Sequence, residues 1–304
     1  MSVPALHVAC VVEENYIAHS ATMLHSLLAH ADDLHVVVHY LHPPELPAEP
    51  LERLRGMVEQ GGGTLTPLEV RDEVSEGLPV EGFTRKATWY RIFLPRLLGD
   101  LDRVLFLDCD LVVADSISEL WEAELGDDYV AAVTNVFMVE HLFRVDELGL
   151  EDPRDYFNAG VMLMNLDAMR RDGCTEAMYE YGTRNAGELV FRDQDVLNVV
   201  MGGRRKRLHP RWNVMNSIVR FPYSPYVLGP REVQEARARP AIRHFEGPGL
   251  NKPWHADCDF EGRELYAEHR RQTPWPEFEL EGAPAPARRG LPRLAQRARR
   301  RLSA

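Results

Sequence analysis

The sequence predicts an α/β protein built on a mostly parallel, doubly wound central sheet. Three observations carry this. Short apolar strands alternate with amphipathic segments through the first half of the chain. The alternation recurs often enough to imply crossover connections rather than hairpins. An apolar run, VLFL, stops at two carboxylates, Asp108 and Asp110, at the carboxyl end of a strand, where such sheets bind ligands.

The elements follow in order. ALHVACVV at 5–12 reads as the first strand, and HSATMLHSLLAH at 19–30 as a helix with Met23, Leu24, Leu27 and Leu28 on one stripe. LHVVVHYL at 34–41 is the next strand, followed by a helix around 50–60, a break at Gly61-Gly62-Gly63 and a strand at 64–70. KATWYRIFLPRLL at 86–98 is expected to be a helix feeding the VLFL strand. Beyond it, Ser116 with Glu119 three positions on predicts a capped helix and then a strand through YVAAV. From 155 onward, DYFNAGVMLMNLDAMR, FRDQDVLNVVMGG and PAIRHFEGPGLNKPWH couple amide and small residues to apolar runs, as a ligand-facing wall would. No internal repeat is visible. Proline density rises after 274, so the expected division is a catalytic domain over 1–278 and a tail over 279–304.

The chain has 304 residues, 45% hydrophobic and 27% charged, an ordinary globular composition with enough length for a sizeable core. The four cysteines, Cys10, Cys109, Cys174 and Cys258, are scattered without pair spacing and read as reduced thiols. No apolar run reaches the roughly 18 residues of a membrane span, and the N-terminus lacks a basic leader, so a cytoplasmic location is expected. Residues 284–304 hold seven arginines and no acid, which leaves 28 basic against 47 acidic residues in the rest, a net −19. An acidic body argues against non-specific nucleic-acid binding. The basic tail reads either as a solvated end or as peripheral contact with an anionic membrane, at about 1 kcal/mol per arginine near the surface.

Two aspartates one residue apart on an extended chain share a face and repel. Read alone, the pair is either a polar turn or a divalent-metal site, since carboxylate oxygens suit Mg²⁺ or Mn²⁺.

Taken together, KATWYRIFLP, VLFLDCDLVV, YFNAGVMLMNL, DQDVLNVV, HFEG and KPWH, in that order, resemble the family-8 glycosyltransferases, which include glycogenin and lipopolysaccharide galactosyl- and glucosyltransferases. The resemblance covers about residues 5–278. It implies a single Rossmann-like domain of the GT-A type and an active, retaining hexosyltransferase that uses a UDP-sugar. It implies Mn²⁺, with Mg²⁺ as the alternative, held by Asp108, Asp110 and His244 of an H-x-x-G motif that ends in Gly247. By the same resemblance Lys252 contacts the diphosphate, although the Gly247–Lys252 gap is about two residues longer than the family's. Glu13, Asn15 and Tyr16 would hold the base and ribose. Lys86, Arg91, Asn158, Ala159 and Gly160 would line the donor, Arg91 also touching Asp108. Asp193 and Gln194 would lie beneath the sugar.

Each residue also has a plainer reading. His244 alone is a packed strand-end histidine, Tyr16 a helix-entry aromatic, Arg91 a surface arginine, Asn158-Ala159-Gly160 a turn, and Asp193 a helix N-cap. A nucleotidyltransferase would need a Gly-rich phosphate loop after the first strand, where this chain has EENY. A non-catalytic binding module would have lost some of these residues. The acceptor is open among a saccharide, a lipid-linked glycan and a protein, with residues 136–155 and 212–232 offering Phe143, Trp212, Phe221 and Tyr223.

Overall fold

The computed structural model describes residues 4–80, 86–277 and 280–283. Among these residues ten strands form two sheets. They are β1 (Ala5–Val11), β2 (His35–His42), β3 (Thr64–Glu69), β4 (Arg103–Leu107), β5 (Leu111–Val113), β6 (Val130–Thr134), β7 (Phe157–Asn165), β8 (Arg205–Arg207), β9 (Val214–Met215) and β10 (Ile242–His244).

The large sheet has the order β3-β2-β1-β4-β7-β6-β8. Its pairings are parallel from β3 across to β4 and again between β6 and β8, whereas β7 runs antiparallel to both its neighbours. The chain winds outward from β1 to β3 and then resumes at β4 on the other side of β1. Such a reversal opens a crevice at the carboxyl ends of the two strands. Into that crevice run Glu13–Tyr16 after β1 and Asp108–Asp110 after β4.

The inverted strand has a direct consequence for the site. Because β7 is antiparallel, with Val161 opposite Leu107, its amino-terminal residues lie where β4 ends. The Asp108 amide donates to the Gly160 carbonyl at 2.9 Å.

Both faces of the large sheet are covered. One core gathers Leu6, Val8, Leu105 and Leu107 with Met23, Leu24 and Leu27 of the helix Ile17–Ala29, against which Leu28 is partly buried. The other packs Val104, Phe106 and Met162 on Trp89, Tyr90, Met178 and Val196. Fully burying a side chain of this kind stabilises the fold by about 1.5–3 kcal/mol.

Three local expectations are corrected. Residues 86–98 form a tighter 3-10 turn over Lys86–Phe93 and only then one α-helical turn, Leu94–Leu97. The helix expected after a Ser116 cap is a single turn, Ser118–Trp121, with Ile117 at its N-cap; the Ser116 hydroxyl donates to Asp32 while its oxygen accepts from the Ser118 amide at 3.4 Å. Asp193 is the first residue of its helix rather than the cap; the cap is Arg192, held at φ +50°.

No helix among the described residues is long and apolar enough to cross a membrane. Near the expected end of the domain, residues 280–283 return to the body, where the Glu281 amide donates to Trp254 and its carbonyl accepts from Ala256. The rest of the basic tail lies outside the described residues.

Candidate active site

The small sheet, β5-β10-β9, assembles the acidic cluster. Asp108, Cys109 and Asp110 form a turn between β4 and β5 rather than an extended strand end. Antiparallel pairing sets His244 opposite Leu111, and the Phe245 amide donates to the Asp110 carbonyl at 2.9 Å. A histidine 134 positions away therefore arrives beside the turn. His244 Nε2 is 3.2 Å from Asp110 Oδ1 and 4.0 Å from Asp108 Oδ2. Ligand atoms of these three residues lie within 4.8 Å of one another, the one such trio among the described residues that can hold a metal ion. Cys109 packs into the core, its thiol donating to the Val11 carbonyl at 3.4 Å.

The donor set suits a hard divalent ion: two carboxylates and one imidazole. Space around the trio is maintained by the absence of a side chain. A Cβ on Gly160 would stand 2.3 Å from the His244 ring and 2.9 Å from an Asp108 oxygen.

Two cations complete the cluster. Arg91 is buried, with Nη2 3.0 Å from Asp108, Nε 3.1 Å from Asp193 and Nη1 donating to the Ala159 carbonyl at 2.9 Å. Its guanidinium lies 4.5 Å from the Phe106 ring centre. It is not the surface arginine of the plainer reading. Lys252 Nζ pairs with Asp110 and donates to the Phe245 carbonyl at 3.1 Å.

The electrostatics follow from burial set against these charges. Burial opposes ionisation of Asp110, but Lys252 and His244 outweigh it and hold the carboxyl well below the usual range. At His244 burial disfavours the cation, and Asp110 overrides it to raise the pKa. Asp193 goes the other way: burial lifts its carboxyl to about 6, against the opposing pull of Arg91.

The residues expected to line the donor sugar form a dense amide network. Gln194 Oε1 accepts from the Ala159 amide at 3.0 Å and from Asn158 Nδ2 at 3.2 Å, while its Nε2 donates to the Tyr156 hydroxyl at 3.3 Å. Asn158 Oδ1 accepts from the Gly160 amide at 3.0 Å and from Asn213 Nδ2 at 2.8 Å. Tyr156 in turn donates to buried Asp195, which pairs with Arg144 at 2.7 Å.

The remaining predicted residues form the outer part of the crevice. Tyr16 is half-buried, edge-on to Trp254 at 5.7 Å and to His19 at 5.5 Å. Glu13 and Lys86 line one small cleft of about 280 Å³ with Glu45 and Tyr90. Asn15 is exposed. Gly247 holds φ +87°, where a side chain would meet Asn251. Of the candidate acceptor aromatics, Trp212 is a core residue, Phe221 and Tyr223 stack on each other at 5.2 Å, and Phe143 is exposed.

Sequence reasoning missed Asn213, Asp195, Tyr156 and His19. The last stacks on Trp254 at 3.5 Å and bonds the Tyr266 hydroxyl at 2.6 Å. Tyr156 and Asp195 sit within the YFNAGVMLMNL and DQDVLNVV stretches without a signal of their own, and Asn213 and His19 lie outside the stretches that carry the family resemblance; the first three are buried polar side chains and His19 is partly buried.

A reversed α/β sheet with an acidic, cation-braced cluster at its switch point is the architecture of a GT-A glycosyltransferase. Residues 7–258 match the family described as Glycosyl transferase family 8, and the chain belongs to that family. General stress protein A of Bacillus subtilis (strain 168) is 30% identical over 275 residues, covering 89% of this chain and 94% of that one. Lipopolysaccharide 1,3-galactosyltransferase of Salmonella typhimurium is 24% identical over 234 residues, 75% of this chain and 67% of the relative. Among solved structures, galactosyltransferase LgtC in complex with donor and acceptor sugar analogs superposes with a TM-score of 0.80 at 27% identity, covering 88% of this chain and 96% of that chain.

Proposed function

We propose that the protein is a Mn²⁺-dependent, retaining hexosyltransferase that moves glucose or galactose from its UDP-sugar to a hydroxyl of a glycan or glycoconjugate. The observation that supports this most is the convergence of Asp108, Asp110 and His244 with Arg91 and Lys252 at the switch point. A divalent cation held by the trio would neutralise the departing diphosphate. Lys252, a flexible point charge, would follow the phosphate oxygens away from Asp110. Arg91 would hold Asp193 against the sugar hydroxyls while fixing Asp108. Tyr16 would stack on the base, with Glu13, Asn15 and Lys86 around it.

Retention is consistent with the state of Gln194. Its amide oxygen already accepts two hydrogen bonds, which leaves it a poor nucleophile beside a carboxylate. Same-face substitution fits better: the bond from C1 to the phosphate oxygen breaks, the acceptor oxygen bonds to C1, and its proton passes to the leaving phosphate.

Thermal unfolding with UDP, GDP, ADP and CMP, each with Mn²⁺ or EDTA, tests the donor site. A ligand at 100 times its dissociation constant stabilises by about 2.7 kcal/mol. A shift with UDP that needs Mn²⁺ and disappears in Asp110→Ala supports the reading. A shift indifferent to metal and to Asp110 sinks it.

A further inference from the structure

We infer that Asn213 is a positioning residue that holds a proton on His244 Nδ1 and thereby reserves the Nε2 lone pair for a cation shared with Asp108 and Asp110. The inference deepens the metal-site reading above and rests on it for its functional meaning. Its physical basis is a chain of side-chain amides whose direction is fixed by two backbone groups.

Side-chain amides can in principle be turned end for end, so the direction must come from atoms whose role is certain. A backbone N–H only donates. The Ala159 N–H points at one atom of Gln194 at 3.0 Å, so that atom is the oxygen. The Asn158 atom 3.2 Å from the same oxygen is therefore its NH₂. Independently, the Gly160 N–H points at the other end of Asn158 at 3.0 Å, making that end the oxygen. The two assignments agree. The Asn213 atom 2.8 Å from the Asn158 oxygen must then be its NH₂. Only the Asn213 oxygen remains to face His244 Nδ1 at 2.9 Å, and an oxygen requires Nδ1 to carry hydrogen.

A neutral imidazole held this way offers its Nε2 lone pair to a cation; without one, Nε2 stands 3.2 Å from the Asp110 carboxylate, which favours a second proton there. A metal-ligating histidine is commonly oriented in this way by a partner on its other nitrogen. Asn213 suits the task because it is fully buried and sits one residue before β9, which pairs with β10 so that His244 lies opposite Met215. Water does not compete for the Nδ1 hydrogen there. The same chain joins the two halves of the site: Gln194 beneath the sugar and His244 at the metal cluster are linked through two asparagines.

The test uses ¹⁵N-histidine NMR on the full-length, metal-free protein at a pH where His244 is neutral, with His244→Gln identifying its signals. The expected spectrum has a protonated Nδ1, and any proton on Nε2, shared with Asp110, is lost when Mg²⁺ is added. In Asn213→Ala, whose folding is checked by thermal unfolding, the preference is expected to relax toward the Nε2–H form. Mn²⁺ affinity without donor, read by electron paramagnetic resonance, should weaken roughly 10–100-fold.

An unprotonated Nδ1 in the wild type overturns the inference even if the variant does not fold. Unchanged Mn²⁺ affinity and tautomer in a folded Asn213→Ala also overturns it while leaving the metal site standing. Failure of the metal reading has a separate signature: Asp110→Ala binds Mn²⁺ as the wild type does, or neither binds it, while the tautomer remains legible in the spectra.

Discussion

The inner wall and the outer rim of the crevice are built differently. At the wall, Asn158 and Gln194 have protein partners for both the oxygen and the nitrogen of their amides. The rim residues Asn15 and Lys86 are exposed, and Tyr16 is half-buried, edge-on to Trp254 and His19. Fixed geometry therefore sits where bonds would break, and adaptable surface where a base would dock. The difference predicts that wall substitutions change turnover and rim substitutions change affinity.

Asp110→Ala should break the comparison most severely, lowering transfer by a factor of 10³ or more, because it removes a proposed metal ligand and leaves buried Lys252 and His244 without their counter-charge. Initial rates with a radiolabelled UDP-sugar would measure it; a loss under tenfold would place the cation elsewhere. Gly160→Ala is the next largest. Its methyl would displace the His244 ring, costing about 1–3 kcal/mol in overpacking. Turnover should fall more than stability, and a variant with full turnover would show that the ring has freedom to yield.

Tyr16→Ala should raise the donor KM by about tenfold with kcat nearly unchanged, in keeping with roughly 1–3 kcal/mol for stacking on a base. A fall in kcat with constant KM would move Tyr16 from rim to wall.

The smallest effect concerns stability alone. Burial holds the His19 imidazole down at about 3. Because the folded pKa lies below the unfolded 6.5, the contribution is complete above pH 6.5 and is lost as pH falls toward 3. On the order of 2 kcal/mol should disappear by pH 5. His19→Phe should flatten that part of the denaturation-versus-pH curve; an unchanged slope would assign the acid sensitivity to another group.

Much of this was legible in the sequence because it depends on local order. The apolar runs of β1, β2 and β4 announce themselves, and the aspartates follow the β4 run directly. The motif order also pointed to His244 and Lys252. What could not be read was set by tertiary pairing. The antiparallel course of β7 leaves no mark on FNAGVMLMN, which would be equally apolar in either direction. Asn213 lies in PRWNVM, an unremarkable stretch until β9 meets β10. Asp195 follows Gln194 in plain view, but its pairing with Arg144 joins segments with no shared spacing. The one-turn helix after Ser116 takes Ile117 as its cap, and the Ser116 hydroxyl donates to Asp32, a partner 84 positions away that no local pattern announces.

The return of residues 280–283 bears on how the protein can be shortened. Glu281 is stitched to Trp254 and Ala256, two and four positions past Lys252. A chain cut at 278, where proline density alone would place the scissors, would lose the last clasp on the loop that carries Lys252. A cut after Ala283 would shed the arginines and leave that clasp fastened.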